Sequence, residues 1–167
     1  VVSALGGITD QLLATAKMAQ QGDESYMAQL QVMRQRHHSM ADALVADRSK
    51  HDTLATVIDT LFDELKSIYY GVYLIRDLSS KTQNAIVSYG ERLSSPITAT
   101  MLDGAVLKDS REFIKTEQKK NKHLLDSSLT NRLIQEAFAQ MPRITVVPGF
   151  ISSDKHTGET TNLGRGG

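Results

Sequence analysis

Seven apolar residues, Leu54, Ile58, Leu61, Leu65, Ile68, Val72 and Ile75, step alternately by four and three. That spacing draws one continuous stripe on an α-helix and fits no strand. It predicts a helix of about six turns. Met27, Leu30, Met33, Met40 and Leu44 repeat the helical period between Asp23 and Leu44. The polar break from Asp47 to His51 separates the two segments. Two long amphipathic helices joined this way form an antiparallel pair. Their stripe reads as core rather than as the seam of an exposed coiled coil.

The flanking segments have a different rhythm. Val1 to Ala4 is a short strand, Gly6-Gly7 a tight turn, and Thr9 or Asp10 a candidate N-cap for a helix over Leu12, Leu13, Ala16 and Ala19, ending near Gly22. Ser79-Ser80 can cap a helix over Ala85, Ile86 and Tyr89, broken near Gly90 and resuming over Ile97 and Met101. Ala105 to Leu107 and Phe113 to Lys115 are short strand candidates. Ser127 or Ser128 opens a helix with Leu133, Ala137 and Phe138, which Pro142 ends. Ile144 to Val147 is a β-branched run that stops at the turn signal Pro148-Gly149. A polar loop then closes on Gly164-Arg165-Gly166-Gly167. Strands alternating with helices predict an α/β domain with a mainly parallel sheet. Ligands bind such sheets beyond the carboxyl ends of the strands, where Ser3 and Phe150 fall. At 167 residues one domain is expected.

Charge narrows the possible partners. Lys plus Arg number 19 and Asp plus Glu number 19, so no basic field exists to recruit nucleic acid or a membrane surface. No apolar run is long enough to span a bilayer as a helix. Without cysteine there is no disulfide scaffold, thiolate metal site or cysteine nucleophile, which fits a cytoplasmic protein. The abrupt apolar start and glycine-rich end read as a fragment of a longer parent. Self-association or partial disorder is expected near Gly158 to Gly167.

Three stretches hold residues suited to a small charged ligand. The first, Val1 to Asp10, places the Ser3 hydroxyl at a strand end and Thr9 at a helix start, where backbone N–H groups favour an anion. The plainer alternative is a strand terminus and an N-cap. The second, Ser88-Tyr89-Gly90-Glu91-Arg92-Leu93-Ser94-Ser95, sets Glu91 beside a helical glycine, suited to an ammonium group; the plainer alternative is a solvated helix glutamate paired with Arg92 or another neighbour. The third, Gly158 to Gly167, has no Gly-Lys-Ser/Thr ending and no strand leading into its glycines, so it is neither a P-loop nor a dinucleotide fingerprint. Its Arg165 can grip a carboxylate with two parallel hydrogen bonds. His37, His38, His51, His123 and His156 lack ligand spacing and read as structural or surface residues.

In order, Val-Val-Ser-Ala-Leu-Gly-Gly-Ile-Thr-Asp, Ser-Tyr-Gly-Glu-Arg-Leu-Ser-Ser, and Val-Val-Pro-Gly-Phe-Ile-Ser-Ser through Gly-Glu-Thr-Thr-Asn-Leu-Gly-Arg-Gly-Gly resemble the aspartate kinases of the amino-acid kinase superfamily. The resemblance covers nearly the whole chain. It implies part of a three-layer αβα sandwich with a mainly parallel sheet. Residues 23–78 would be the helical insertion of the lysine-sensitive or bifunctional homoserine-dehydrogenase-fused branches. The implied reaction moves the γ-phosphoryl of MgATP to the side-chain carboxylate of L-aspartate, the first step toward lysine, threonine and methionine.

Carried over by position, Arg165 would clamp the α-carboxylate and Glu91 would receive the α-ammonium. Ser3 and Thr9 would lie near the substrate carboxylates, Phe150 would wall the pocket, and Gly166 and Gly167 would lie close to the phosphoryl group. No metal ligand is expected in this chain. Several family features are absent: the lysine-bearing Gly-Gly-Thr-Ser loop before Val1, the Ser-Asp after Gly167, the ATP-binding half and the regulatory ACT domains. Asn162 replaces a usual threonine. The expected catalytic lysine and aspartate therefore lie outside the chain, ATP would be bound through the missing half, and the fragment alone would be inactive although its parent, a homo-oligomer, is active. Two other readings remain: a non-catalytic helical interaction module built on the Leu54 to Ile75 stripe, and a sibling kinase acting on another carboxylate or carbamate. The pairing of Glu91 with Arg165 favours an amino acid with a free α-centre.

Overall fold

Asp47 starts the longest helix by accepting the Lys50 N–H at 3.0 Å, and the helix runs Arg48–Ile75. The computed structural model describes residues 1–119, 122–140 and 142–163. The first three helices are α1 (Ile8–Gln21), α2 (Tyr26–Leu44) and α3 (Arg48–Ile75), and α4 is Ser80–Met101. Leu54, Ile58, Leu65 and Val72 of the stripe are buried, joined by Phe62 and Tyr69 one position further on. Each such side chain contributes about 1.5–3 kcal/mol of transfer free energy. The stripe runs out at Ile75, which is exposed. α3 packs against α1, α2 and α4 in one shared core. Tyr69 donates its hydroxyl to the Leu12 carbonyl at 2.9 Å, satisfying the polar end of a buried ring. Burial pushes that phenol far above its ordinary pKa.

His37 faces the same core and is fully buried. Its Nδ1 lies 2.7 Å from the Met33 carbonyl and its ring meets Phe62 edge-on. An Nδ1–H donor to that carbonyl leaves Nε2 as the acceptor, and Nε2 has no partner. Burial lowers the imidazole pKa. In the unfolded chain the ring takes up its proton near pH 6.5, while the folded chain resists it. Its contribution to stability is therefore lost as pH falls from about 6.5 toward the depressed folded value, by up to about 1.4 kcal/mol per pH unit. His37→Leu is expected to flatten that part of the stability profile. Urea unfolding at several pH values between 5 and 7 checks this, and an unchanged slope would contradict it.

α4 begins where Ser79 accepts the Thr82 N–H at 3.1 Å. The break expected near Gly90 is absent, and the helix continues through Gly90 and Pro96 to Met101. α1 is capped by Gly7 at φ 79° with no side-chain cap, so Thr9 and Asp10 lie within its first turn rather than capping it. Gly7 takes the left-handed backbone that a side-chain-bearing cap would resist.

The strands form two sheets. β1 (Ala105–Leu107) pairs in parallel with β4 (Ile144–Val146), and Val2 bridges to Pro148 in the same sense. The second sheet has the order β3-β2-β5-β6, built from β2 (Lys115–Lys119), β3 (Lys122–Leu125), β5 (Ile151–Asp154) and β6 (Thr160–Asn162). Only β2 and β5 are parallel there. The fold is α/β as expected, but this sheet is mixed rather than mainly parallel. Phe113 ends a short helix, α5 (Ser110–Phe113), instead of opening a strand. Asp126 rather than a serine caps α6 (Ser127–Ala137) by accepting the Leu129 N–H.

Part of the tail read as a polar loop is a hairpin, in which Thr160–Asn162 pair with β5. All four residues of β5 are buried, although only Ile151 among them is apolar. Hydroxyls find partners inside the sheet: Ser152 of β5 and Thr116 of β2 each meet Thr161 Oγ1 of β6 at 2.8 Å. Such satisfied networks let polar strands sit in a core.

Candidate functional site

The site is built where the first residues cross α4. Val2 is held on one side, donating its N–H to the Val147 carbonyl at 2.9 Å and accepting the Gly149 N–H at 2.8 Å. Next to it, the Ser3–Ala4 peptide lies over α4. The Ala4 N–H donates to Glu91 Oε1 at 3.3 Å, and the Ser3 carbonyl accepts from Ser94 Oγ at 2.8 Å. Glu91 and Ser94 are three apart and so share a helix face. Gly90 permits the approach, because a Cβ there would sit 2.7 Å from Ala4 Cβ.

Glu91 is only 4% exposed, and its Oε2 has no hydrogen-bond partner. Burial pushes its carboxyl above the usual carboxylate range, with the Ala4 N–H opposing that shift. The alternative pairing with Arg92 is not made. Arg92 instead reaches Glu64 Oε2 at 2.9 Å and stacks over Tyr89. A buried carboxylate oxygen without a partner is costly unless a cation or donor meets it.

The other expected residues gather around this point in part. Ser3 follows the Val2 bridge, and Phe150 follows Gly149 on the opposing segment. Phe150 adopts φ 63°, a left-handed backbone unusual for an aromatic residue. Its carbonyl accepts the Leu163 N–H, which brings the end of β6 beside it. Thr9 is half-buried in the first turn of α1, next to Ile8, which packs on Gly90. Arg165, Gly166 and Gly167 lie outside the described residues.

Two contacts were not foreseen. Ser94 belongs to the quoted motif, but only the structure shows it reaching Ser3. Asn162 donates Nδ2 to Asn84 Oδ1 at 3.1 Å, tying β6 to α4 on the face that also carries Glu91. A polar cleft of about 550 Å³ opens nearby, lined by Lys81, Asn84, Glu117, His123, Asp154 and His156, and holds none of the expected residues. Among the described residues no group of three or more His, Asp or Glu is placed to hold a metal ion. No described helix is long and apolar enough to cross a membrane.

The chain is 30% identical over 179 residues to aspartokinase 1, chloroplastic, of Arabidopsis thaliana, an alignment that takes in 100% of this chain and 30% of the relative. By sequence, the chain belongs with the aspartokinases. No family model matches it. Its fold matches E. coli aspartokinase III in complex with lysine and aspartate, with a TM-score of 0.86 and 24% identity over 100% of this chain and 37% of the other. The same enzyme with aspartate and ADP gives 0.83 and 23%, again over 100% and 37%. The chain thus spans about a third of the length of the aspartokinases it resembles.

Proposed function

We propose that this chain forms the amino-acid-binding part of an aspartate kinase. The observation that carries the reading is Glu91: buried, held by one oxygen, and without a partner at the other. In the proposed complex Oε2 receives the α-ammonium of L-aspartate, and Arg165 grips the α-carboxylate. Ser3 and Thr9 orient the substrate carboxylates, and Phe150 walls the pocket. Three separate charged or polar anchors fix a small zwitterion in one pose. One oxygen of the side-chain carboxylate then attacks the γ-phosphorus of MgATP. The new O–P bond forms as the bond to the β-phosphate oxygen breaks, and ADP leaves with the electron pair. The product is an acyl phosphate, feeding lysine, threonine and methionine synthesis.

Such a transfer needs alignment and charge neutralisation more than covalent help. The Gly166-Gly167 backbone stands near the phosphoryl group in this reading. The catalytic lysine and aspartate, the nucleotide-binding half and the completed three-layer αβα sandwich belong to the remainder of a cytoplasmic, oligomeric parent. Residues 23–78 are its helical insertion. The alternative of a helical interaction module needs an exposed stripe, and α3 buries most of that stripe inside the chain's own core.

The test is to trap acyl phosphate with hydroxylamine. The full-length protein carrying this chain should form aspartyl hydroxamate from L-aspartate and MgATP, and the chain alone should not. No aspartate-dependent product from the full-length protein would end the proposal.

A further inference from the structure

We infer that Ser94 is a positioning residue: by holding the Ser3 carbonyl it fixes the Ser3–Ala4 peptide so that only one oxygen of Glu91 is occupied and the other faces the ligand. The inference rests on the reading of Glu91 as the ammonium acceptor. Its own support is geometric. The carbonyl of Ser3 and the N–H of Ala4 belong to one planar peptide unit. α4 binds both ends of that unit, through Ser94 Oγ at 2.8 Å and Glu91 Oε1 at 3.3 Å. The shorter contact fixes the plane, and the longer one follows from it. Gly90 lies under the next residue and closes the remaining side.

Ser94 is 2% exposed. Its hydroxyl also approaches the Glu91 carbonyl at 3.3 Å, the ordinary helix-internal contact of a serine. Ser95 supplies the comparison. It is equally buried and bonds the same Glu91 carbonyl at 2.7 Å, yet it makes no hydrogen bond to the Ser3–Ala4 peptide. Loss of a hydroxyl at either position removes one buried hydrogen bond. Only loss at Ser94 frees the peptide. A rotated peptide withdraws the Ala4 N–H from Glu91, weakens ammonium binding and raises the pH at which Glu91 ionises, since that N–H favours the charged carboxylate.

The experiment compares Ser94→Ala, Ser94→Thr and Ser95→Ala in the full-length protein, with L-aspartate as the varied substrate and Glu91→Gln as reference. Ser94→Ala should raise KM about fivefold with kcat nearly kept, and shift the acid limb of kcat/KM to higher pH. Ser94→Thr, which keeps the hydroxyl, should restore both, and Ser95→Ala should move neither. If Ser94→Ala does not fold, Ser94→Cys keeps the volume with a weak donor and should show the same KM rise and shift. An unmoved acid limb and KM in the folded Ser94 variant, or equal effects from Ser95→Ala, would overturn the inference. If Glu91→Gln itself binds aspartate normally, the ammonium-acceptor reading fails first, and the positioning role with it.

Discussion

Replacing Glu91 by Gln is expected to make the chain more stable at neutral pH and, in the proposed function, the full-length protein almost unable to hold aspartate. The two effects have one cause. Burial raises the Glu91 carboxyl above its usual pKa, so the folded state keeps that proton to higher pH than the unfolded chain does. Between the unfolded and folded pKa values the native state binds more protons, and stability falls as pH rises. Above the folded pKa the penalty stays in place. Gln is neutral throughout, so variant and wild type should agree near pH 4 and separate by pH 7, by about 1 kcal/mol in favour of Gln. The same change removes a buried charge from its proposed ammonium partner, which costs about 2–5 kcal/mol. That is a rise in KM of about thirtyfold or more. Urea titrations at the two pH values and aspartate kinetics on the full-length protein measure both. A variant less stable at pH 7 than wild type would show that Glu91 serves the fold rather than a ligand.

Gly90→Ala should instead lose on both counts. An added Cβ would meet Ala4 Cβ at 2.7 Å, with Leu12 Cδ1 at 3.7 Å behind it. In an exposed helix the change would gain about 1 kcal/mol of propensity. Here overpacking costs about 1–3 kcal/mol, because Ala4 is tethered through Val2 to Val147 and Gly149 and cannot simply move away. The chain either loses stability or lifts the first segment off α4, and lifting it breaks the Ala4 contact to Glu91. Aspartate KM should rise by about tenfold or more. A gain in melting temperature with unchanged KM would mean that the segment is free to shift and that the close approach is incidental.

Much of this arrangement was legible in the residues. The four-three stripe located α3 because a buried helix face leaves a strong periodic mark, and Ser79 and the Val-Val-Pro-Gly turn sit where their chemistry requires, whereas the stretch read as a polar break, Asp47 to His51, is the cap and first turn of α3. Gly90 was misread as an interruption. A glycine inside a helix usually signals weakness, but here tertiary packing overrides propensity, since Ala4 occupies the space where a side chain would be. β5 and β6 were missed for a related reason. Ser152, Ser153, Thr160 and Thr161 look like loop residues, but their hydroxyls all find partners: Ser152 and Thr161 bond each other, Ser153 donates to the Arg111 carbonyl, and Thr160 accepts from the Arg111 guanidinium. Glu91 was found through its motif, whereas its unpartnered oxygen and the reach of Ser94 to Ser3 depend on a crossing of distant segments that no local pattern encodes. Arg165 lies outside the described residues, so its convergence with Glu91 rests on the proposal.

The crossing of the first segment over α4 also bears on how the chain reaches its native state. Ala4 and Glu91 are 87 positions apart, and Val2 pairs with Pro148 from further still. Closing such spans in one step is entropically slow. The α2–α3 hairpin shortens the route, because α1 and α4 each dock on α3 before the first five residues need to be threaded between α4 and β4. The segment that carries the Ala4 contact to Glu91 is therefore expected to be ordered last, and in the proposed reading aspartate affinity should lag behind helix content during refolding.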